Sequence, residues 1–147
     1  MNPYSSREIR RFNYLIGETD AVYHELALKL GLSDSAMMIL YTICDCGDCC
    51  PLQEICRLSC LSKQTINSAL RKLEADGLLY LEPSGKKSKI VHLTEKGIQF
   101  ANDTVVRVIE MENDIFRSFS KEDLEIYLSL TERFLIELQK KTKELER

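Results

Sequence analysis

The stretch Leu61 to Leu73, LSKQTINSALRKL, constrains the fold of this chain more than any other. Its apolar residues Ile66, Ala69, Leu70 and Leu73 recur at i, i+3, i+4 and i+7, the spacing that gives an α-helix one buried face. Lys63, Gln64, Asn67, Ser68 and Arg71 project from the opposite face, and these are side-chain types that hydrogen-bond to base edges and phosphates. Ser62 is placed to cap the helix, its oxygen accepting from free N–H groups of the first turn. The segment reads as a recognition helix, a helix whose polar face is offered to nucleic acid.

The flanking residues agree with that reading. Pro51 suits the first turn of a short helix to about Leu58, with Leu52, Ile55 and Cys56 inward. A turn near Ser59 to Leu61 follows, and Asp76 and Gly77 end the next helix, which is helix-turn-helix spacing. Leu78 to Glu82 and Lys89 to Leu93 read as two short strands joined by Pro83, Ser84, Gly85 and the basic pair Lys86 and Lys87. A lone hairpin is marginal in water, so it must pack on the helices beside it. Helix-turn-helix plus such a wing is a winged helix.

Upstream, Ile9, Phe12, Leu15, Ile16, Val22, Tyr23, Leu26 and Leu30 mark an amphipathic helix from Ser6 that Gly31 ends. A second helix starts at Ser33 and is apolar nearly all round through Ile43, so it belongs deep in the core. Cys44 to Pro51, CDCGDCCP, breaks the pattern and reads as a loop or tight turn. Downstream, Thr94 caps one long helix reaching Phe119, and Ser120 with Asp123 starts a last helix carrying Leu124, Tyr127, Leu128, Leu130, Phe134, Leu135 and Leu138. The expected fold is mainly α: a winged helix-turn-helix DNA-binding region over 33–94 with a small β-hairpin wing. Long dimerisation helices flank it over 1–32 and 95–147.

Charge is distributed to match. The chain is −3 in total, but residues 62–92 alone carry six basic and three acidic groups. Positive charge concentrated in one short segment is the footprint of a phosphate-binding surface, or else an ordinary solvated face. At 147 residues with 44% hydrophobic and 29% charged content, the chain has the composition of one soluble globular domain. The start MNPYSSREIRRF has no apolar signal segment and no apolar run approaches a membrane span, so the expectation is a cytoplasmic protein without membrane contact. The apolar stripes of the terminal helices exceed what the winged helix can cover, and a second copy of the chain is the simplest surface to bury them.

With these pieces placed, the chain resembles the MarR family of bacterial winged-helix transcription regulators. The likeness rests on LSKQTINSALRKLEADGLL (Leu61 to Leu79) followed at the right distance by VHLTEKG (Val91 to Gly97), with long helices at both ends. The resemblance implies a homodimer held by its terminal helices on a pseudo-palindromic double-stranded operator. Each recognition helix would enter a major groove, one helical turn from its twin. It also implies that Gln64, Thr65, Asn67 and Ser68 face bases or nearby phosphates, while Ser62, Lys63, Arg71 and Lys72 face the backbone. Lys86, Lys87 and Lys89 of the wing complete the implied DNA-binding set. The family's usual action implies a repressor released by an effector bound between the dimer helices and the winged helix. One departure stands out: many members carry Asp-x-Arg in the wing, where this chain has Gly85-Lys86-Lys87. Lysine brings a point charge without the planar fork that suits a narrow minor groove.

Six cysteines, Cys44, Cys46, Cys49, Cys50, Cys56 and Cys60, fall within 17 residues. Without a secretion signal, metal binding or thiol redox chemistry outranks a disulfide framework. Cys46-x-x-Cys49 and Cys56-x-x-x-Cys60 offer four thiolates to Zn²⁺ or Cu(I), with Cys46, Cys49, Cys50 and Cys60 the candidates. Cys56 on an inner helix face and Cys44 at a helix end also read as small core residues. Cys46, Cys49 and Cys50 read as exposed loop residues, Cys50 before a helix start that favours a thiolate and Asp45 and Asp48 opposing it. Neither His24 nor His92 has metal-ligand spacing. An effector could therefore be a small molecule, a metal or an oxidant.

Two other functions compete. A thiol-disulfide exchange enzyme would rest on Cys46-Gly-Asp-Cys49, but that chemistry sits in a βαβ unit and a helix precedes it here. No Gly-rich phosphate loop, H-E-x-x-H or nucleophile elbow occurs, so neither enzymatic activity nor a cofactor is expected. A winged helix that has lost DNA and serves as a protein-interaction module is disfavoured by the polar face of Lys63 to Arg71 and the lysine wing.

Overall fold

In the computed structural model, which describes residues 4–145, the chain runs α1 (Arg7–Lys29), α2 (Asp34–Cys46), β1 (Cys49–Pro51), α3 (Leu52–Ser59) and α4 (Lys63–Ala75). It continues with β2 (Leu79–Ser84), β3 (Ser88–Leu93), α5 (Glu95–Asp103), α6 (Val105–Arg117) and α7 (Lys121–Glu144). These residues divide after Arg107 into two compact units. The architecture is mainly helical with a small antiparallel sheet, a winged helix as expected. Among the described residues no single helix is long and apolar enough to cross a membrane.

The first unit is built around α2. Ser33 caps it by accepting from the Ala36 N–H at 3.1 Å. Ile39, Leu40 and Ile43 are fully buried, as the all-round apolar pattern required, although Met38 is exposed. α3 and α4 pack on it and add Ile55, Ile66, Leu70 and Leu73. Val91 and Leu93 of the sheet and Ala101 of α5 are buried as well. Each such aliphatic side chain contributes about 1.5–3 kcal/mol through burial. α1 joins α2 where His24 Nδ1 meets the Asp34 carboxylate at 2.9 Å.

Three expectations fail here. The loop or tight turn expected over Cys44 to Pro51 shrinks to a tight turn at Gly47 and Asp48, with φ of 93° and 64°: α2 continues through Cys46, and Cys49–Pro51 forms β1. The wing is consequently not an isolated hairpin. β1 pairs with β3, Cys50 opposite Val91, giving a three-stranded sheet of order β1-β3-β2. Three residues are too few for a two-residue alternation to be read, and the edge of β3 gains backbone partners that a bare hairpin would lack. Pro51 is therefore the last residue of β1 and the N-cap of α3. The long helix after Thr94 is also broken at Thr104, whose hydroxyl donates to the Phe100 carbonyl at 2.7 Å, so α5 and α6 are separate elements.

In the second unit, Ser120 caps α7 by accepting from the Asp123 N–H at 3.0 Å. Phe116, Phe119 and Tyr127 cluster at the turn between α6 and α7, with ring centroids 6.1 to 6.5 Å apart. No residue of α7 is buried: Ile126, Leu128, Leu130, Leu135 and Leu138 are all more than half or about half exposed. α1 likewise leaves Leu15, Ile16 and Val22 exposed.

Candidate nucleic-acid interface

The polar face of α4 is assembled from its start. Ser62 Oγ accepts from the Thr65 N–H at 3.2 Å and donates to Thr65 Oγ1 at 2.8 Å, so these two hydroxyls are occupied with each other. Along the helix, Lys63, Gln64, Asn67, Ser68 and Arg71 line one shallow, open depression on the surface. All five are exposed, while Ile66, Ala69, Leu70 and Leu73 on the other face are buried. The amphipathic division read from Leu61 to Leu73 is present residue for residue.

Tertiary structure adds neighbours to this face. Asn67 and Arg71 border a second depression with Leu81 of β2 and Lys89 of β3, which puts the base of the wing against the helix. Glu74 lies in the same depression and sets a negative charge beside the lysine. Lys72 borders a different depression, with Ser33, Ser35 and Lys96. Lys86 and Lys87 lie in the turn between β2 and β3, exposed. Of the eleven residues singled out in the sequence, one face thus unites Lys63, Gln64, Asn67, Ser68, Arg71 and Lys89, with Lys72 on the opposite flank.

The segment Thr94 to Gly97 holds the far end of this helix, a role not visible in the sequence. Thr94 N–H donates to the Leu78 carbonyl at 3.1 Å, and its hydroxyl donates to the Gly77 carbonyl at 2.6 Å. Lys96 Nζ donates to the Asp76 carbonyl at 2.8 Å, placing a cation at the negative end of α4. Gly77, with φ of 76°, lets the Leu78 N–H turn back to the Leu73 carbonyl. On the wing, Tyr80 and His92 stack with centroids 5.0 Å apart. His92 Nε2 lies 3.2 Å from Glu82, near enough for an ion pair when protonated but not aligned as a hydrogen bond.

The cysteines separate by position. Among the described residues no three His, Cys, Asp or Glu side chains come together to hold a metal ion. Cys60, left-handed at φ 57°, ends α3 and directs its sulfur to the Arg57 carbonyl at 3.8 Å. Cys56 is half-buried, not the core filler expected. Cys50 is fully buried, not exposed, because β1 places it opposite Val91. Its thiol is pushed up to about 12, by burial first, then by the hydrogen bond to Cys46 and the charges of Cys46, Glu54 and Cys49. The thiolate-favouring helix start expected at Cys50 is therefore outweighed. Cys44 is raised to about 11 by burial first and then by the charges of Asp48 and Asp45, so these two aspartates act on Cys44 and not, as expected, on Cys50.

The model of the MarR family matches residues 30–90, the span from the C-cap of α1 into β3. Over those residues the chain is similar to the MarR family. Solved MarR structures of similar fold extend over most of the chain. NMB1585, a MarR family regulator from Neisseria meningitidis, is 20% identical over 95% of this chain and 98% of its own, with a TM-score of 0.77. A MarR family transcriptional regulator from Silicibacter pomeroyi is 22% identical over 88% of each chain, TM-score 0.66. BpsR from Bordetella bronchiseptica, whose DNA binding is regulated by 6-hydroxynicotinic acid, is 15% identical over 84% of this chain and 98% of its own, TM-score 0.63. Identities at this level establish the MarR fold and nothing finer. No curated protein matches the chain.

Proposed function

We propose that this chain is a homodimeric, sequence-specific regulator of transcription that binds a pseudo-palindromic duplex and acts as a repressor released by an effector. The observation that carries the reading is the single exposed face uniting Lys63, Gln64, Asn67, Ser68 and Arg71 with Lys89 at the base of the wing. Amides and hydroxyls there supply base-edge donors and acceptors, and the cations supply phosphate contacts. Ser62 and Thr65, bound to each other, act through the helix N-terminus, and Lys72 reaches the backbone from the other flank. The regulated DNA binding of BpsR supports a small molecule as the effector. Ligand that favours one protomer spacing over another would shift the population away from the DNA-competent one.

Titration of a fluorescent duplex from the chain's own upstream region tests this. Saturable binding by two protomers, outcompeting random duplex, is expected; equal affinity for random DNA would refute sequence-specific regulation. Lys86→Ala with Lys87→Ala should weaken specific and random binding by similar factors and flatten the salt slope, because wing lysines act as point charges on phosphates. A loss confined to the specific duplex would contradict that role.

The exposed apolar faces of α1 and α7 support the dimer, since faces of this size on a soluble chain require a covering surface. Leu128→Glu with Leu135→Glu should convert the protein to monomer in sedimentation velocity and abolish two-protomer binding. A dimer that survives both charges would place the interface elsewhere.

A further inference from the structure

Cys46 and Cys50 are brought together by the tight reversal at Gly47 and Asp48, and their sulfurs lie 2.8 Å apart. Cys46 is exposed at the end of α2, whereas Cys50 is buried in β1. A disulfide bond is about 2.05 Å long, so these sulfurs need approach by less than about one ångström to bond. Sequence spacing had singled out the pair Cys46 and Cys49; the fold selects a different partner, because alternation along β1 turns Cys49 outward and Cys50 inward.

We propose that Cys46 and Cys50 form a reversible oxidation site for hydroperoxides, closing an intrachain disulfide that lowers affinity for DNA. In the first step the Cys46 sulfur attacks the peroxide O–O bond: Cys46–SH and ROOH give Cys46–SOH and ROH. In the second, the Cys50 sulfur attacks that sulfenic sulfur, forming the S–S bond, and hydroxide leaves with the Cys50 proton as water. Two thiols lose two electrons in all, and the peroxide accepts them. Buried Cys50 is out of the oxidant's reach, which makes it the resolving partner and leaves exposed Cys46 to meet the oxidant.

The path to the DNA-facing surface is short. Cys50 sits opposite Val91 and Pro51 opposite Ile90, so β1 is bonded directly to the strand that carries Lys89. Drawing Cys50 toward the end of α2 moves β1 and with it the base of the wing. This consequence for DNA rests on the duplex-binding reading of α4, whereas the bond itself does not.

The test treats reduced full-length protein with hydrogen peroxide and maps thiols by differential alkylation and mass spectrometry. Duplex affinity is measured in parallel, before oxidation and after dithiothreitol. Expected is a Cys46–Cys50 linked peptide, 2 Da lighter than the dithiol, with affinity at least threefold weaker and restored by reductant. Cys50→Ser should leave Cys46 as a sulfenic acid that dimedone traps, and Cys49→Ser should leave the linkage intact. Pairing of Cys46 with Cys49, or no oxidation of Cys46, overturns the site. A correct linkage with unchanged affinity, in protein that binds duplex when reduced, overturns the switch. Reduced protein that binds no duplex refutes the DNA reading, and the peptide map still decides the bond.

Discussion

Arg71→Glu is expected to weaken binding to the upstream duplex by about a hundredfold, since losing one charge-assisted contact costs about 1.5–3 kcal/mol and the new carboxylate adds repulsion. Arg71 and Asn67 are the two residues of α4 that border both depressions of the candidate surface, so Arg71 links the helix face to the wing base. The side chain is exposed and the buried stripe of α4 is untouched by the change. Thermal unfolding should therefore stay close to wild type, and this separates a lost contact from a lost fold. Arg71→Lys should recover part of the affinity, as a point charge keeps the phosphate attraction but not a two-pronged geometry. Wild-type binding by Arg71→Glu at moderate salt would remove this face from the interface.

Gly97→Ala should meet more resistance from neighbouring atoms than alanine at any other glycine of the chain. A Cβ at Gly97 would fall on the backbone carbonyl of Leu78, within the first turn of α5. That carbonyl accepts from Thr94, so it cannot move aside without breaking the tie between the start of β2 and α5. Overpacking against a fixed backbone costs about 1–3 kcal/mol before the lost hydrogen bond is counted. For a unit of this size the midpoint should fall by about 10 °C or more. The same substitution at Gly17, exposed in α1 with open space around its Cα, should be neutral or stabilising by up to about 1 kcal/mol. Equal midpoints for the two variants in calorimetry would show that the Leu78 contact is not rigid. Because Thr94 and Lys96 also hold the end of α4, Gly97→Ala should weaken duplex binding beyond the unfolded fraction.

The recognition helix was legible in the sequence because its signal is local. A buried stripe at Ile66, Ala69, Leu70 and Leu73 and a cap at Ser62 need no information from elsewhere, and the structure reproduces both. The break at Phe119 and Ser120 and the ends at Gly31 and Gly77 are local in the same sense. β1 was not legible, since three residues carry no periodicity and are a strand only because β3 is there to pair with them. The break at Thr104 was missed because Ile98, Ala101, Val105 and Val108 keep helical spacing straight through it.

By itself, the sequence determined the winged helix and which residues of α4 face outward, because capping, periodicity and turn chemistry act over a few residues. Only the tertiary structure decided what stands next to that face. Lys89 joins Asn67 and Arg71 through strand pairing, and Thr94 to Gly97 ties down the end of α4 across some twenty residues of chain. It also decided the fate of the cysteines: Cys46 meets Cys50 and not Cys49, because a strand turns alternate side chains to opposite faces. Spacing along a chain sets which thiols can approach, and the local backbone chooses which do.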